Sequence, residues 1–218
     1  MPADEDHPAA PRFTVTDGPI RFSIGKMGEL YLTFQLFNES IGVTAHSIDL
    51  YERSGVIPMH ALRYINNHRL KVIDVGAGAN ELITHVHMPM IIDPLPYLIV
   101  DRVLSKGYSH APRGNSQKAI EILRQRIDFI TNPNKAYLIN MTLEDAYQSH
   151  FRELKEWKAD IILDVNGAST YGDRGKVHQY ELNLLWEPNP ERIWSAGNLI
   201  GGRFDGRTAE SLNLSIRS

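Results

Sequence analysis

The chain has 218 residues, 42% of them apolar and 22% charged, a length and composition that suit one sizeable core with an extension. Its formal net charge of −3 gives no overall attraction to nucleic acid. Without cysteine it has no disulfide, thiolate metal ligand or cysteine nucleophile, and we expect a cytoplasmic protein. No apolar run reaches the ~20 residues of a membrane span, so we expect no membrane partner.

Two segments precede the first strongly apolar strand. Residues 1–12 are polar, acidic and proline-bearing, which predicts a disordered tail. Residues 13–69 predict a helical N-terminal extension that either covers a ligand or only packs on a sheet. Its parts are a hairpin around Asp17-Gly18, a segment at Leu30–Phe37 that fits a strand or a buried helix, and helices at Ser47–Arg53 and Pro58–Asn67.

The stretch Lys71–Asp93 carries the strongest pattern in the chain. An apolar strand at Val72–Val75 leads into the glycine turn Gly76–Asn80, and glycine lets the backbone approach a ligand closely. A short helix at Glu81–Val86 follows, and then a second apolar strand that ends on Asp93. Strand, glycine turn, helix, strand and terminal acid make up a nucleotide-binding half-unit.

The details of this half-unit distinguish between cofactors. A nicotinamide site has glycine where this chain has Glu81, so that fingerprint is broken. The runs Asp74-Val75-Gly76-Ala77-Gly78 and Asp93-Pro94-Leu95-Pro96 instead resemble two motifs of the class I S-adenosylmethionine-dependent methyltransferases. The resemblance implies a cofactor site in which the first run passes under the methionine part and Asp93 holds the ribose hydroxyls. The residues that it implies are Asp74, Gly76, Ala77, Gly78, Asp93 and Pro94.

The segment between the second and third strands is longer than one crossover needs. Tyr97–Lys106 and Gln117–Ile130 predict helices around a loop at Tyr108–Asn115. We interpret the excess, residues 107–135, as a lid or a partner surface.

A third strand at Ala136–Asn140 is followed by Met141 and Thr142. Thr142 and Asp145 form a near capping box, which predicts a helix from there to Trp157. In the resembling family an acid after this strand contacts adenine. This chain has Met141 there, so the resemblance implies that adenine contacts Met141 and the backbone around Thr142.

The next apolar strand, Ala159–Asp164, ends on an acid beside the first strand if the order is doubly wound. The resemblance implies that Asp164 faces the transferred methyl group, as a cofactor contact and as a general base. A short polar loop, Ala168–Arg174, is suited to line a pocket. The remaining predictions are a helix at Lys176–Trp186 and late strands at Arg192–Trp194 and Ser211–Ile216. Gly201-Gly202 resembles a pair that precedes a late strand in the family.

These patterns predict an α/β, doubly wound, mostly parallel sheet over residues 70–218. The resemblance implies an S-adenosylmethionine-dependent methyltransferase acting on a small molecule or on RNA. The alternative is a non-catalytic module of the same fold that binds a protein or nucleic-acid partner, since no complete catalytic motif is present. We predict no metal site, because His85 and His87, two residues apart, do not share a helix face.

Overall fold

The computed structural model describes residues 13–17, 20–24, 30–36, 39–44, 48, 59–78, 80–94, 124–165, 167–186, 194–196, 199–201 and 215–216. The tail at residues 1–12, nearly all of the predicted helix Ser47–Arg53 and all of Tyr97–Lys106 and Tyr108–Asn115 lie outside these ranges. The predictions made for them stay predictions.

The N-terminal part of the chain forms an antiparallel sheet of four strands in sequential order. The strands are β1 (Phe13–Asp17), β2 (Ile20–Ile24), β3 (Leu30–Leu36) and β4 (Glu39–Thr44). The predicted hairpin is confirmed with Asp17 opposite Ile20, and the ambiguous segment is a strand. A helical extension is therefore wrong for residues 13–44, because β-branched and aromatic residues at a spacing of two favour strands.

The second sheet has seven strands in the order β11-β9-β10-β8-β5-β6-β7. Four of them are parallel neighbours: β5 (Val72–Val75), β6 (Met90–Ile92), β7 (Tyr137–Ile139) and β8 (Ile161–Leu163). The chain runs outward from β5 through β6 to β7 and then returns to β8 on the other side of β5. Asp164 therefore follows the strand beside β5, and the order reverses between β5 and β8, which is where α/β sheets bind ligands.

The closing strands of this sheet differ from the expectation. They are β9 (Trp194–Ala196), β10 (Leu199–Gly201) and β11 (Ser215–Ile216), and each of their pairings is antiparallel. Gly201 is the last residue of β10 and Gly202 lies outside the described residues, so the expectation for Gly201-Gly202 stays a prediction. Only two residues separate β9 from β10, and such a short connection makes a hairpin instead of a parallel crossover.

The described helices are short. They are α1 (Met59–Asn67), a 3₁₀-helix at Glu81–His85, α2 (124–130), α3 (Leu143–Ser149), α4 (Phe151–Trp157), α5 (Ala168–Tyr171) and α6 (Arg174–Leu184). None of the helices described is long and apolar enough to cross a membrane.

Three helix predictions need correction. The single helix expected up to Trp157 is interrupted at His150, whose φ of −121° is not helical. The loop expected at Ala168–Arg174 contains α5 and the start of α6. That last helix begins at Arg174, two residues before the predicted start, because the Asp173 side chain accepts hydrogen bonds from the amides of Gly175 and Lys176.

Buried apolar residues cover both faces of the parallel strands. On one face, residues of α1 and of the 3₁₀-helix pack against alternate residues of β5 and β8, namely Ala61, Leu62, Ile65, Leu82, Val72, Ile161 and Leu163. On the other face, α3, α4 and α6 pack against Ile73, Val75, Met90, Ile92 and Ile162. This three-layer arrangement confirms an α/β fold built on a parallel sheet.

Candidate ligand site at the carboxyl ends of the parallel strands

A cavity of about 390 Å³ lies at the carboxyl ends of the parallel strands, a volume within the range of small-molecule sites. We call it the carboxyl-end cavity. The ends of β5 and β6, the start of α3, the segment after β8 and the first turns of α6 surround it. Its lining residues are Val75, Gly76, Ile92, Asp93, Pro94, Thr142, Leu143, Glu144, Gly167, Ala168, Gly172, Asp173, Lys176, Val177 and Tyr180.

Asp93 is the acid that the parallel sheet brings to this cavity. Its carboxylate accepts a 2.7 Å hydrogen bond from the amide of Gly78, across fifteen residues of chain. The Gly76 amide bonds to the carbonyl of Ile92, which holds the glycine turn beside the end of β6. Burial raises the pKa of Asp93 to about 6, and the Gly78 hydrogen bond opposes that shift. Asp93 thus joins the turn to the cavity wall.

Asp74 lies beneath the turn and does not line the cavity. It belongs to β5 and is 3% exposed. Burial raises its pKa well above the usual value, and the nearby carboxylates of Asp93 and Asp164 raise it further. Three aspartates from three neighbouring strands therefore interact at this edge of the sheet. Because the shared negative charge is unfavourable, protonation of Asp74 or a positive charge nearby would relieve it.

Asp164 is also buried, at 4% exposure, and is not among the residues lining the cavity. One carboxylate oxygen accepts a 2.8 Å hydrogen bond from the amide of Ser169, in the first turn of α5. The other oxygen is buried without a hydrogen-bond partner. In this arrangement the side chain supports the segment after β8 from below, which differs from the exposed position that a base acting on a bound acceptor needs.

The glycine turn and the segment after β8 touch through their backbones. Gly76 has a φ of +71°, and a Cβ added to it would lie 2.4 Å from the Cα of Gly167. A Cβ added to Gly167 would lie 1.9 Å from the carbonyl oxygen of Val75. Both positions therefore need glycine, and the two loops leave no side-chain-sized gap between them.

Of Met141 and Thr142, which follow soon after the end of β7, Thr142 lines the cavity and Met141 does not. Thr142 lines the cavity and caps α3, because its hydroxyl oxygen accepts a 3.1 Å hydrogen bond from the Asp145 amide. Met141 is half-buried, packs against the core of that face and is not a lining residue. Likewise Pro94 lines the cavity, while Ala77 is buried and Gly78 reaches the site only through Asp93.

The sequence did not single out the wall formed by α6. Lys176, Val177 and Tyr180 of this helix line the cavity, and Glu144 lines it from α3. The positions i, i+1 and i+4 lie on one helix face, so the spacing was readable. Which face would point to the cavity depends on how α6 packs, and no local signal gives that.

Among the described residues, no group of three or more histidines, aspartates and glutamates could hold a metal ion. No protein-family model, curated protein or solved structure significantly matches this chain.

Proposed function

We propose that this chain is a class I S-adenosylmethionine-dependent methyltransferase whose cofactor binds in the carboxyl-end cavity. The observation that carries the proposal is the position of Asp93. It ends the second parallel strand, lines the cavity and is fixed by the amide of the glycine turn. A carboxylate held there can accept hydrogen bonds from two adjacent ribose hydroxyls, because it has lone pairs beyond the one that Gly78 uses.

The rest of the cavity supports a nucleoside ligand. Its lining is largely apolar, with Ile92, Leu143 and Val177 available to contact the faces of a base. The order of strands reverses at β5 and β8, beside the glycine turn. The cofactor supplies an electrophilic methyl group, so the protein needs to contribute mainly positioning and exclusion of water. The acceptor is a small molecule or RNA.

One observation favours a second candidate, a module that binds the nucleoside and recognises a partner without transferring a methyl group. The backbones of Gly76 and Gly167 are in contact, and Asp164 lies beneath them with Ser169 as its partner. In this arrangement neither a methionine chain nor an acceptor has access to Asp164. Methyl transfer that uses Asp164 would require the two loops to separate, whereas nucleoside binding would not.

The cofactor is tested by calorimetric titration of the full chain with S-adenosylhomocysteine and with NAD. We expect S-adenosylhomocysteine to bind and to raise the melting temperature by mass action, and NAD to do neither. The opposite result, binding of NAD alone, would reject the proposal.

The site is tested by Gly78→Val. Gly78 has a φ of +55°, which a β-branched residue rarely adopts, and its amide orients Asp93. We expect S-adenosylhomocysteine binding to be lost while the circular dichroism spectrum stays close to that of the wild type. Gly175→Ala in α6 is the control, because Gly175 does not line the cavity and its Cβ would meet only the Asp173 side chain, at 3.3 Å. If Gly78→Val binds as well as this control, the cofactor is not at the glycine turn.

Asp164→Asn separates the enzyme from the binding module. An enzyme that uses Asp164 as a base loses roughly 10²–10⁴-fold in rate and keeps its cofactor affinity. An enzyme that works by positioning alone keeps its rate, which removes Asp164 from the mechanism. The module transfers no methyl group before or after the substitution. The measurement is transfer of labelled methyl from S-adenosylmethionine to mixed RNA and small-molecule acceptors.

A further inference from the structure

A second cavity, of about 280 Å³, lies at the amino ends of the parallel strands, on the side of the sheet opposite to the carboxyl-end cavity. We call it the amino-end cavity, because its residues directly precede the strands. The residues 84–88 lead into β6, 134 and 135 lead into β7, and Asn66 lies in the last turn of α1, ahead of β5. The complete lining is Asn66, Thr84, His85, Val86, His87, Met88, Phe129, Asn134 and Lys135.

Backbone contacts fix the cavity walls relative to each other. The amide of Tyr137 donates a 2.9 Å hydrogen bond to the carbonyl of Pro89, which joins the starts of β6 and β7. Asn132 accepts hydrogen bonds from the amides of Asn134 and Lys135, so the turn before β7 is also held. Met88 has a φ of +46°, an uncommon conformation for a residue other than glycine. The amino-end cavity is therefore built on two strand starts.

The polar groups of this cavity are mostly hydrogen-bond donors. Lys135 contributes an ammonium group, His85 and His87 contribute ring nitrogens that can donate, and Asn66 and Asn134 contribute side-chain amides. The Lys135 ammonium lies 5.6 Å from the centroid of the Phe129 ring, a cation–π distance. The hydroxyl of Thr84 already donates to the carbonyl of Glu81. None of the described lining residues is a carboxylate.

Glu81, four residues before His85, is engaged elsewhere. Its carboxylate accepts a 2.8 Å hydrogen bond from the amide of Ile48 and lies 3.7 Å from the guanidinium of Arg126, which is buried. It lies 4.0 Å from His85, at the limit of an ion pair. Arg126 therefore offsets the charge of Glu81, and Lys135 remains the charged residue of the described cavity lining.

We propose that the amino-end cavity binds a phosphate group. Phosphate combines nearly two negative charges with several strong acceptor oxygens, and this cavity offers one fixed cation, two histidines and two amides. The group is carried by a small phosphate monoester or by a nucleic-acid backbone, whose diester presents two terminal oxygens and one negative charge instead of three oxygens and nearly two charges. The site is independent of the proposed methyltransferase function, since the cofactor proposed above binds in the carboxyl-end cavity and this cavity lies at the amino ends of the strands.

The test is an NMR titration of the full ¹⁵N-labelled chain with inorganic phosphate at constant ionic strength. We expect chemical-shift changes that saturate with phosphate concentration at the amides of His87, Met88 and Lys135. We expect no such changes at the amides of Gly76 and Thr142. Lys135→Gln should weaken phosphate binding about tenfold, or about 1.4 kcal/mol. Arg152→Gln is the matched control, because it removes the same charge from a side chain that is 93% exposed and outside the cavity. It should leave the affinity unchanged.

An equal loss of phosphate affinity in both variants would overturn the proposal, since phosphate binding would then depend only on the overall charge of the protein. Shifts confined to the carboxyl-end cavity, or no saturation, would overturn it as well. Titrations with glycerol phosphate and with a short single-stranded RNA distinguish the two sources by which one binds more tightly. Because none of these measurements needs S-adenosylmethionine, the proposal can fail or succeed separately from the proposed function.

Discussion

The ends of β6 and β8 carry the same sequence signal with different outcomes. Each strand is fully buried and is followed at once by an aspartate. Asp93, after β6, lines the carboxyl-end cavity and accepts a hydrogen bond from a turn that belongs to the neighbouring strand. Asp164, after β8, accepts one from its own following helix and does not line the cavity.

The difference shows what decides the role of an acid at a strand end. Gly167 brings the segment after β8 against the carbonyl of Val75 and over the carboxylate of Asp164. At the end of β6, Asp93 lies beside the turn Gly76–Gly78, which follows β5. This turn leaves one side of the Asp93 carboxylate exposed to the cavity. The position of the neighbouring loop therefore determines whether a strand-end acid lines the cavity or is covered by the next segment of chain.

Gly167→Ala should have the largest effect on this comparison. The new Cβ would lie 1.9 Å from the carbonyl oxygen of Val75 and 2.5 Å from a carboxylate oxygen of Asp164. The backbone must move, and we expect the free energy of unfolding to fall by about 3 kcal/mol. Urea denaturation measures it. Gly175→Ala, in the first turn of α6, should instead be neutral or slightly stabilising, and equal losses in both variants would contradict the close contact.

Asp93→Asn should stabilise the fold near pH 7 and should lower the affinity for the proposed ligand, S-adenosylhomocysteine. The pKa of Asp93 is raised to about 6, so the unfolded chain ionises this group first as the pH rises. Its contribution to stability is present below about pH 4 and is lost between about pH 4 and pH 6, by about 3 kcal/mol for the full shift. Asparagine does not ionise, and its neutral bond to Gly78 is weaker, so we expect a net gain of about 2 kcal/mol.

The measurement for Asp93→Asn is thermal unfolding from pH 4 to pH 8 with S-adenosylhomocysteine titrations alongside. The wild type should lose more stability than the variant as the pH rises through this range. Asp128→Asn is the control, because Asp128 is an exposed aspartate of α2. If the two variants respond to pH in the same way, the assignment of this window to Asp93 is wrong.

Asp164→Ala should cost about 1.5 kcal/mol, since the Ser169 amide loses its carboxylate partner in the first turn of α5. Asp164→Asn keeps an oxygen for that amide and should cost less. Neither substitution should change the affinity for S-adenosylhomocysteine, in contrast with Asp93→Asn. An affinity loss as large as that of Asp93→Asn would mean that the two strand ends act alike. Chemical denaturation and calorimetry measure these effects.

Thr142→Ala should have the smallest effect, about 1 kcal/mol, because it removes the N-cap of α3. Thr142→Ser keeps the capping oxygen and should be close to the wild type. Differential scanning calorimetry compares the two variants. Similar losses in both would show that the threonine methyl group, rather than the hydroxyl, stabilises this end of the helix.

Local chemistry determined several elements of this protein without the tertiary structure. The hairpin at β1 and β2 follows from alternating apolar residues around Asp17-Gly18, and the start of α3 follows from Thr142 and Asp145. The apolar runs before Asp93 and Asp164 predicted buried strands. Each of these depends on residues within a few positions of each other, so the sequence contains the cause.

Tertiary packing decided the rest, because the relevant partners are distant in sequence. No proline or glycine at His150 predicts the interruption of the helix there. The direction of β10 depends on its pairing with β8, which is distant in sequence. Lys176 and Tyr180 reach the carboxyl-end cavity because α6 packs on the same face of the sheet as α3. Asp93 and Asp164 both follow a buried apolar strand, and the loop that the fold sets beside each one gave them different surroundings.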